Sequence, residues 1–523
     1  MSRIAVLTVL SMLGASLASA ATLSVYPYPA TQDIESKLIV PDKFEGSKKA
    51  VLTITSPCGK VEKHDVTLES GKAFFNWKAS ATGYYKMSLA GDGISASRDV
   101  AAVWRKMYFY GWVVPKTPQE LAKVPVLGSC AIVVGGTPEK YAAYRSYGIT
   151  PIAFVSFRAS QINLKLPEDK MIEKMIAKWR KGLDNGADGI WIDELGLYPN
   201  YSGLEKNRLF SAALQKMRKL YPDAIIMVAN AGTTLREQSA VCKSNNIILC
   251  PEVYPDCTSA VFGTFSFEKY LDARINVLRE TDMLFERGYK QDATAATFKK
   301  GCGIILLGLN NCFGVVEEPF VPKLEGYIRY LKKTAPEMGG LALWSSNGDA
   351  EYAEKYIPFT LQNELLERYY VKPVLHLNNA FADNYTPKAN SKVKLICEVA
   401  NIGGMKLYKP FSVKAFAIDP TGRRTLVGEV KLHGLGVGLK QAAIPESKEK
   451  VIEHNEDGNK YIITNRKALG RGPGLKVINK GRRTITLDYV PQMSGNHRIV
   501  FELNAPADTE VISGTVERNL FVR

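Results

Sequence analysis

The run Gly189-Ile190-Trp191-Ile192-Asp193-Glu194 is an apolar strand that stops abruptly on two adjacent carboxylates. Period-two alternation sends Trp191 and Asp193 to one face and Ile190, Ile192 and Glu194 to the other, so the two acids point apart. A third acid, Glu252, follows the apolar run Ile247 to Cys250 and shares its face with Tyr254. Paired carboxyls at strand ends are what glycosidic cleavage requires: one attacks or stabilises the anomeric centre, the other protonates the leaving oxygen. The competing expectations are structural: an N-cap or a lysine partner for Asp193 and Glu194, and a salt bridge or substrate hydrogen bond for Glu252. Asp188, at the opposite end of its strand, reads as a cap.

The histidines narrow the chemistry. All five, His64, His376, His433, His454 and His497, lie outside residues 105–370. A Ser-His-Asp hydrolase, a histidine-metal amidohydrolase or a histidine phosphodiesterase would need imidazoles there. The cysteine spacings contain no CxxC and have no nearby histidine, so neither a metal nor another cofactor is expected. Carboxylates, amides, phenols and lysines remain. Tyr110 and Trp112 share a strand face and offer planes for pyranose stacking, as does Trp344. Asn230 and Asn310 end other strands and can both donate to and accept from sugar hydroxyls. Arg158 could meet an anionic substituent, and Tyr254 completes the predicted substrate contacts.

The elements that must position these residues alternate between strand and helix from Lys106 onward. Strands are expected at Met107–Val114, Ala131–Val134, Ile152–Phe157, Gly189–Asp193, Ile225–Ala229, Ile247–Cys250, Gly303–Leu309 and Leu341–Trp344. Ile172, Ile176, Trp179 and Leu183 fall at helical spacing before Asn185-Gly186, which predicts an amphipathic helix ending just ahead of the acidic strand. Eight such units over about 260 residues predict a (β/α)8 TIM barrel, an α/β fold whose strand C-termini line one mouth. Strands four and six would then be separated by one neighbour at a spacing of about 4.8 Å, close enough for either retaining or inverting carboxyl separations. A doubly wound sheet would more often carry a Gly-rich phosphate loop, and Tyr110-Gly111-Trp112-Val113-Val114-Pro115 is no such loop.

Gly189-Ile190-Trp191-Ile192-Asp193 resembles the fourth-strand segment of barrel glycoside hydrolases, where α-amylase, α-fucosidase and α-galactosidase types place an aspartate nucleophile. The resemblance maps Asp193 to that nucleophile. It leaves Glu194 as a competitor, because other hydrolase clans end this strand in a glutamate acid. Trp344, in Leu341-Ala342-Leu343-Trp344, resembles the aromatic floor of such sites. The alternating acidic pattern of chitinases is not met, since Trp191 and Leu195 occupy two of its positions.

The flanks read as β-sandwiches. Residues 21–104 hold short β-rich runs between turn residues, and Thr82 to Leu89 resembles the late strand of an immunoglobulin-like domain, where a tyrosine anchors the corner. Residues 371–523 return to strands. Within them Leu395-Ile396-Cys397-Glu398-Val399-Ala400-Asn401-Ile402-Gly403 resembles the V-x-N-x-G strand of CARDB-type immunoglobulin-like modules, and a polar, Gly- and Lys-rich insertion spans residues 436–481. Residues 105–370 are the expected catalytic domain.

The 523-residue length implies more than one domain. Met1-Ser2-Arg3, an apolar run from Ile4 to Leu17 and Ala18-Ser19-Ala20 predict a cleavable signal peptide over residues 1–20, hence a secreted or periplasmic protein; no later apolar run is long enough to span a bilayer. The net charge of +16 is spread along the chain, as on an ordinary solvated Lys-rich surface; functionally it would suit an anionic glycan better than nucleic acid, since no nucleic-acid-binding motif is present. Eight cysteines permit disulfides, Cys250 with Cys257 or Cys302 with Cys312 among them, although Cys130, Cys250 and Cys302 lie in apolar runs that favour buried thiols. The expected function is an exported glycoside hydrolase acting on a poly- or oligosaccharide through Asp193 and either Glu252 or Glu194. The alternatives are a non-catalytic glycan-binding or scaffolding protein and a metal-dependent esterase working with Asp and Glu alone.

Overall fold

The computed structural model describes residues 19–111, 117–156, 161–193, 204–230, 242, 245–253, 305–308, 320–336, 338–344, 358–443, 451–454, 460–463, 475–479 and 481–523. The predicted signal peptide lies outside them except for Ser19–Ala20, which pairs with Ile94–Ser95.

The central element is an all-parallel sheet of eight strands: β1 (Tyr108–Gly111), β2 (Cys130–Val133), β3 (Thr150–Ser156), β4 (Gly189–Asp193), β5 (Ile225–Asn230), β6 (Ile248–Val253), β7 (Ile305–Gly308) and β8 (Gly340–Trp344). Sequence neighbours pair from β2 through to β8, and β8 then pairs with β1. Between β1 and β2 the Ser129 hydroxyl takes the place of a ladder. It accepts from the Phe109 N–H at 3.1 Å and donates to the Phe109 carbonyl at 3.0 Å. Following the pairings from Cys130 around to Phe109 and across this bridge returns to β2 about eight residues from the start.

Helices occupy the connections. Pro138–Ser146 starts on a Thr137 cap, and Glu168–Asp184 buries Met171, Ile172, Met175, Ile176 and Trp179 against β3 and β4. Gly182 lets that helix approach closely, since a Cβ there would sit 2.3 Å from the Cβ of Ala153. Further helices cover Leu204–Leu220, Phe320–Thr334 and Phe359–Leu366, the last running into a wider turn over Glu367–Val371. The helices expected near Leu235–Cys242 and Phe267–Arg287 fall almost wholly outside the described residues.

Two sheets, largely antiparallel, precede the parallel one and pack around Leu38, Leu52, Leu68, Trp77 and Met87; in the larger, Ser19–Ala20 and Ala30–Thr31 run parallel to Ile94–Val103. The Tyr85 hydroxyl bonds the Ala81 N–H at 2.9 Å and the Ala81 carbonyl at 3.1 Å, which is the expected tyrosine anchor. One strand here, Ile94–Val103, was not expected from composition. Asp188 is not a helix cap: it takes the Arg145 guanidinium at 3.0–3.1 Å and the Tyr26 hydroxyl at 2.5 Å, tying the N-terminal sheets to the start of β4.

After Pro373, two four-stranded sheets, one antiparallel and one mixed because Val374–Ala382 runs parallel to Glu510–Ser513, face each other across Leu377, Leu395, Val413, Ile485 and Phe501. The motif residue Asn401 is 5% exposed; its side chain accepts from the Val374 and Gly403 N–H groups and donates to the Met405 and Gly436 carbonyls. Gly403 must be glycine because a Cβ would lie 2.0 Å from the Lys372 carbonyl. Within the polar insertion, Leu439–Ala443 pairs with Leu475–Asn479 and Val451–His454 with Lys460–Ile463.

Ser129→Ala strips both Phe109 backbone groups of their partner in a buried seam. It should lower unfolding free energy by about 1–3 kcal/mol in urea titration; an unchanged midpoint would show that the seam is held otherwise.

Candidate active site

Alternation along each parallel strand decides which side chains enter the sheet's enclosed face. Tyr108, Tyr110, Cys130, Ile152, Trp191, Met227, Ala229, Cys250 and Ala342 form one buried cluster there, with Ile132 and Phe154 packed against it. Asp193 is two residues beyond Trp191 and Glu252 two beyond Cys250, so both acids belong to this face.

Register decides their level. Trp191 pairs with Met227, and Met227 with Ile248. With an eight-residue stagger over eight strands, level positions climb about one residue per strand relative to the ladder. Trp191 is therefore level with Cys250, and Asp193 with Glu252. The same rule carries Glu252, through Leu306 and Ala342, to the backbone of Trp344. Both acids stand at the C-terminal ends of their strands, above a floor of apolar side chains.

That floor is dry. Tyr110 is fully buried and meets Trp191 edge-on at 5.0 Å between ring centroids. It is therefore packed against Trp191 beneath the acids, with no ring face exposed in this structure for the expected stacking. Burial pushes its hydroxyl far above the ordinary phenol value, with Cys250 and the Glu252 charge adding to the shift. The oxygen has no hydrogen-bond partner among the described residues, although the Cys250 thiol lies close by. Burial likewise raises the Cys250 thiol and pushes Cys130 up to about 12, so both stay protonated. Cys250 is a free thiol, consistent with the buried-thiol reading and not with a Cys250–Cys257 bridge; Cys257, Cys302 and Cys312 lie outside the described residues.

The acids differ in surroundings. Glu252 is 5% exposed, whereas Asp193 is half-buried and receives the Trp191 indole N–H at 3.4 Å, a long contact. Glu194, Trp112, Arg158, Tyr254 and Asn310 lie outside the described residues, and for Asn230 and Trp344 only the backbone, ending β5 and β8, is described. Sequence reasoning passed over Phe154 and Ser156. Alternation in β3 sends both to the enclosed face, and Ser156 is the ladder partner of Asp193. No cluster of three or more metal-ligating side chains occurs among the described residues, nor is any of their helices long and apolar enough to cross a membrane.

No family model matches the chain, and no curated protein matches it. Solved structures do. The CARDB domain of a Pyrococcus furiosus protein, in complex with di-metal ions, aligns at 12% identity and a TM-score of 0.18, over 29% of this chain and 91% of that one. Bacteroides uniformis β-glucuronidase 2 aligns at 11% identity and a TM-score of 0.33, over 97% of this chain and 61% of that one. An FMN-binding β-glucuronidase from Faecalibacterium prausnitzii L2-6 aligns at 9% identity and a TM-score of 0.33, over 96% of this chain and 73% of that one. The chain thus spans about three-fifths of the Bacteroides enzyme's length. At these identities and scores the likenesses carry nothing about what this chain acts on.

Tyr110→Phe removes a buried hydroxyl that has no hydrogen-bond partner among the described residues beyond the neighbouring Cys250 thiol. Stability should stay level or rise by up to about 1 kcal/mol; a loss larger than that in thermal or urea unfolding would reveal a hydrogen bond on that oxygen.

Proposed function

We propose that residues 105–370 form a (β/α)8 barrel with the active site of a glycoside hydrolase at its C-terminal mouth, flanked by β-sandwich domains at 21–104 and 371–523, in a protein exported by its 1–20 signal peptide. The observation that carries this reading is the placement of Asp193 and Glu252 on one enclosed face, at one level, at the ends of strands separated by a single neighbour. Supporting it are the eight-residue stagger and the absence of histidine between residues 105 and 370, which leaves carboxylates as the proton-transfer groups.

Glu252, in the drier position, is the general acid: its proton passes to the glycosidic oxygen as the anomeric C–O bond breaks. Asp193, the more open carboxylate, supplies its oxygen to the anomeric carbon or stabilises the positive charge there. Water completes hydrolysis with a carboxylate taking its proton. Glu194 alternates to the opposite face and is the lesser candidate. The net charge of +16 makes uronic-acid and sulfated glycans the first substrates to test.

Asp193→Asn and Glu252→Gln should each lower turnover by at least about a hundredfold on whichever glycan of a mixed neutral and anionic panel the wild type cleaves. Wild-type turnover in both variants would refute the assignment. Glycan binding with no product after long incubation would instead point to a non-catalytic binding protein.

A further inference from the structure

At the opposite, N-terminal end of the parallel strands a cavity of about 510 Å³ lies between the sheet and the segment Thr31–Ile34 of the N-terminal sheets. That volume is within the range of small-molecule sites. Tyr108, Ile225 and Ile248, the lowest members of the enclosed cluster, form part of its wall, so the cavity is the lower mouth of the same strands whose upper ends carry Asp193 and Glu252.

Its charge is one-sided. Arg105, Lys106 and Arg218 line it against a single carboxylate, Asp223. Arg218 spends its N–H groups on the carbonyls of Asn245, Tyr221, Pro222, Ala224 and Asn246, which fixes the guanidinium in the wall without a carboxylate bonded to it. Lys106 sits 5.2 Å over the Tyr108 ring and is ion-paired with no carboxylate among the described residues. Burial draws its ammonium below the ordinary lysine value, and Cys130 and Asp188 oppose that only in part. An anion placed beside it would relieve the cost. Asn246 also lines the cavity, although its Oδ1 is itself shielded from solvent and accepts no hydrogen bond among the described residues.

From the cationic lining of one cavity, where Lys106 is ion-paired with no carboxylate among the described residues and the Arg218 guanidinium is fixed in the wall, we infer that the lower mouth binds a small anion of the sugar-acid or sugar-phosphate class. The oxyanion lies against Lys106, within the field of the Arg218 guanidinium. This site is separate from the carboxylate pair and does not depend on the activity proposed for it.

Calorimetric titration of the full chain with glucuronate, glucose 6-phosphate and neutral glucose, at constant ionic strength set with chloride, tests it. Saturable binding of at least one anion, on the order of millimolar or tighter, is expected, with glucose binding at least tenfold more weakly. The preferred anion tells carboxylate from phosphate. Lys106→Met should weaken binding at least tenfold, as should Gln32→Glu, which adds a carboxylate at the exposed rim and decides the matter if the first variant does not fold. Asp193→Asn should leave it unchanged. Absence of saturable binding by either anion, binding that survives both cavity variants, or binding lost in Asp193→Asn would each overturn the inference.

Discussion

Everything at the proposed active site depends on the stagger of the parallel sheet. Alternation alone says that Asp193 and Glu252 face the enclosed side, but acids on different strands can face one space and still stand at different depths. The pairing chain Trp191, Met227, Ile248 removes that freedom, because a climb of one residue per strand sets Asp193 level with Glu252. The stagger is held in turn by the ladders and one side-chain bridge. Seven pairings are ordinary ladders, and at the eighth the Ser129 hydroxyl holds the Phe109 backbone that a ladder would otherwise satisfy. A one-residue slip would move an acid to the outer face, where helices pack.

Beneath the acids the interior has shed its polarity. Trp191 and Tyr110 fill the centre, and Cys130 and Cys250 are held as neutral thiols by burial. Such a floor shields the proposed site from below, so charges placed at Asp193 and Glu252 would be weakly screened. Around it, contacts between regions hold the sheet's ends: Asp188 bonds Arg145 and Tyr26 at the foot of β4, and Arg329 reaches Glu510 and the Val511 carbonyl from the Phe320–Thr334 helix. The same lower end carries the cationic cavity, so the two mouths present opposite chemistry, carboxylates above and cations below.

Much of the fold was legible in local pattern. The helix before β4 was readable from Ile172, Ile176 and Trp179, and the structure adds Met171 and Met175 to its buried face. The strand Ile94–Val103 was missed because Ser, Ala, Asp and Arg dominate it, yet its signal was present. Asp92-Gly93, at φ +39° and +74°, is a two-residue hairpin turn that joins it to Gly83–Gly91. Val374–Ala382 was missed for a related reason, its Asn378-Asn379 pair looking like a turn. For the site, period-two alternation was enough to separate Asp193 from Glu194. It was not enough to show that Tyr110 lies under the acids, because depth follows from pairings between strands far apart in the chain. Lys106 and Arg218 line one cavity only through topology, and nothing in their local sequence joins them.

The central claim is that Glu252 donates a proton across the mouth to a bond held over Asp193. Its most direct test is the leaving-group dependence of Glu252→Gln. A glycoside with a dinitrophenyl leaving group needs little protonation, so the variant should cleave it within about tenfold of wild type while losing about 10²–10⁴-fold on the unactivated glycan. Equal losses on both substrates, or none on either, would contradict it.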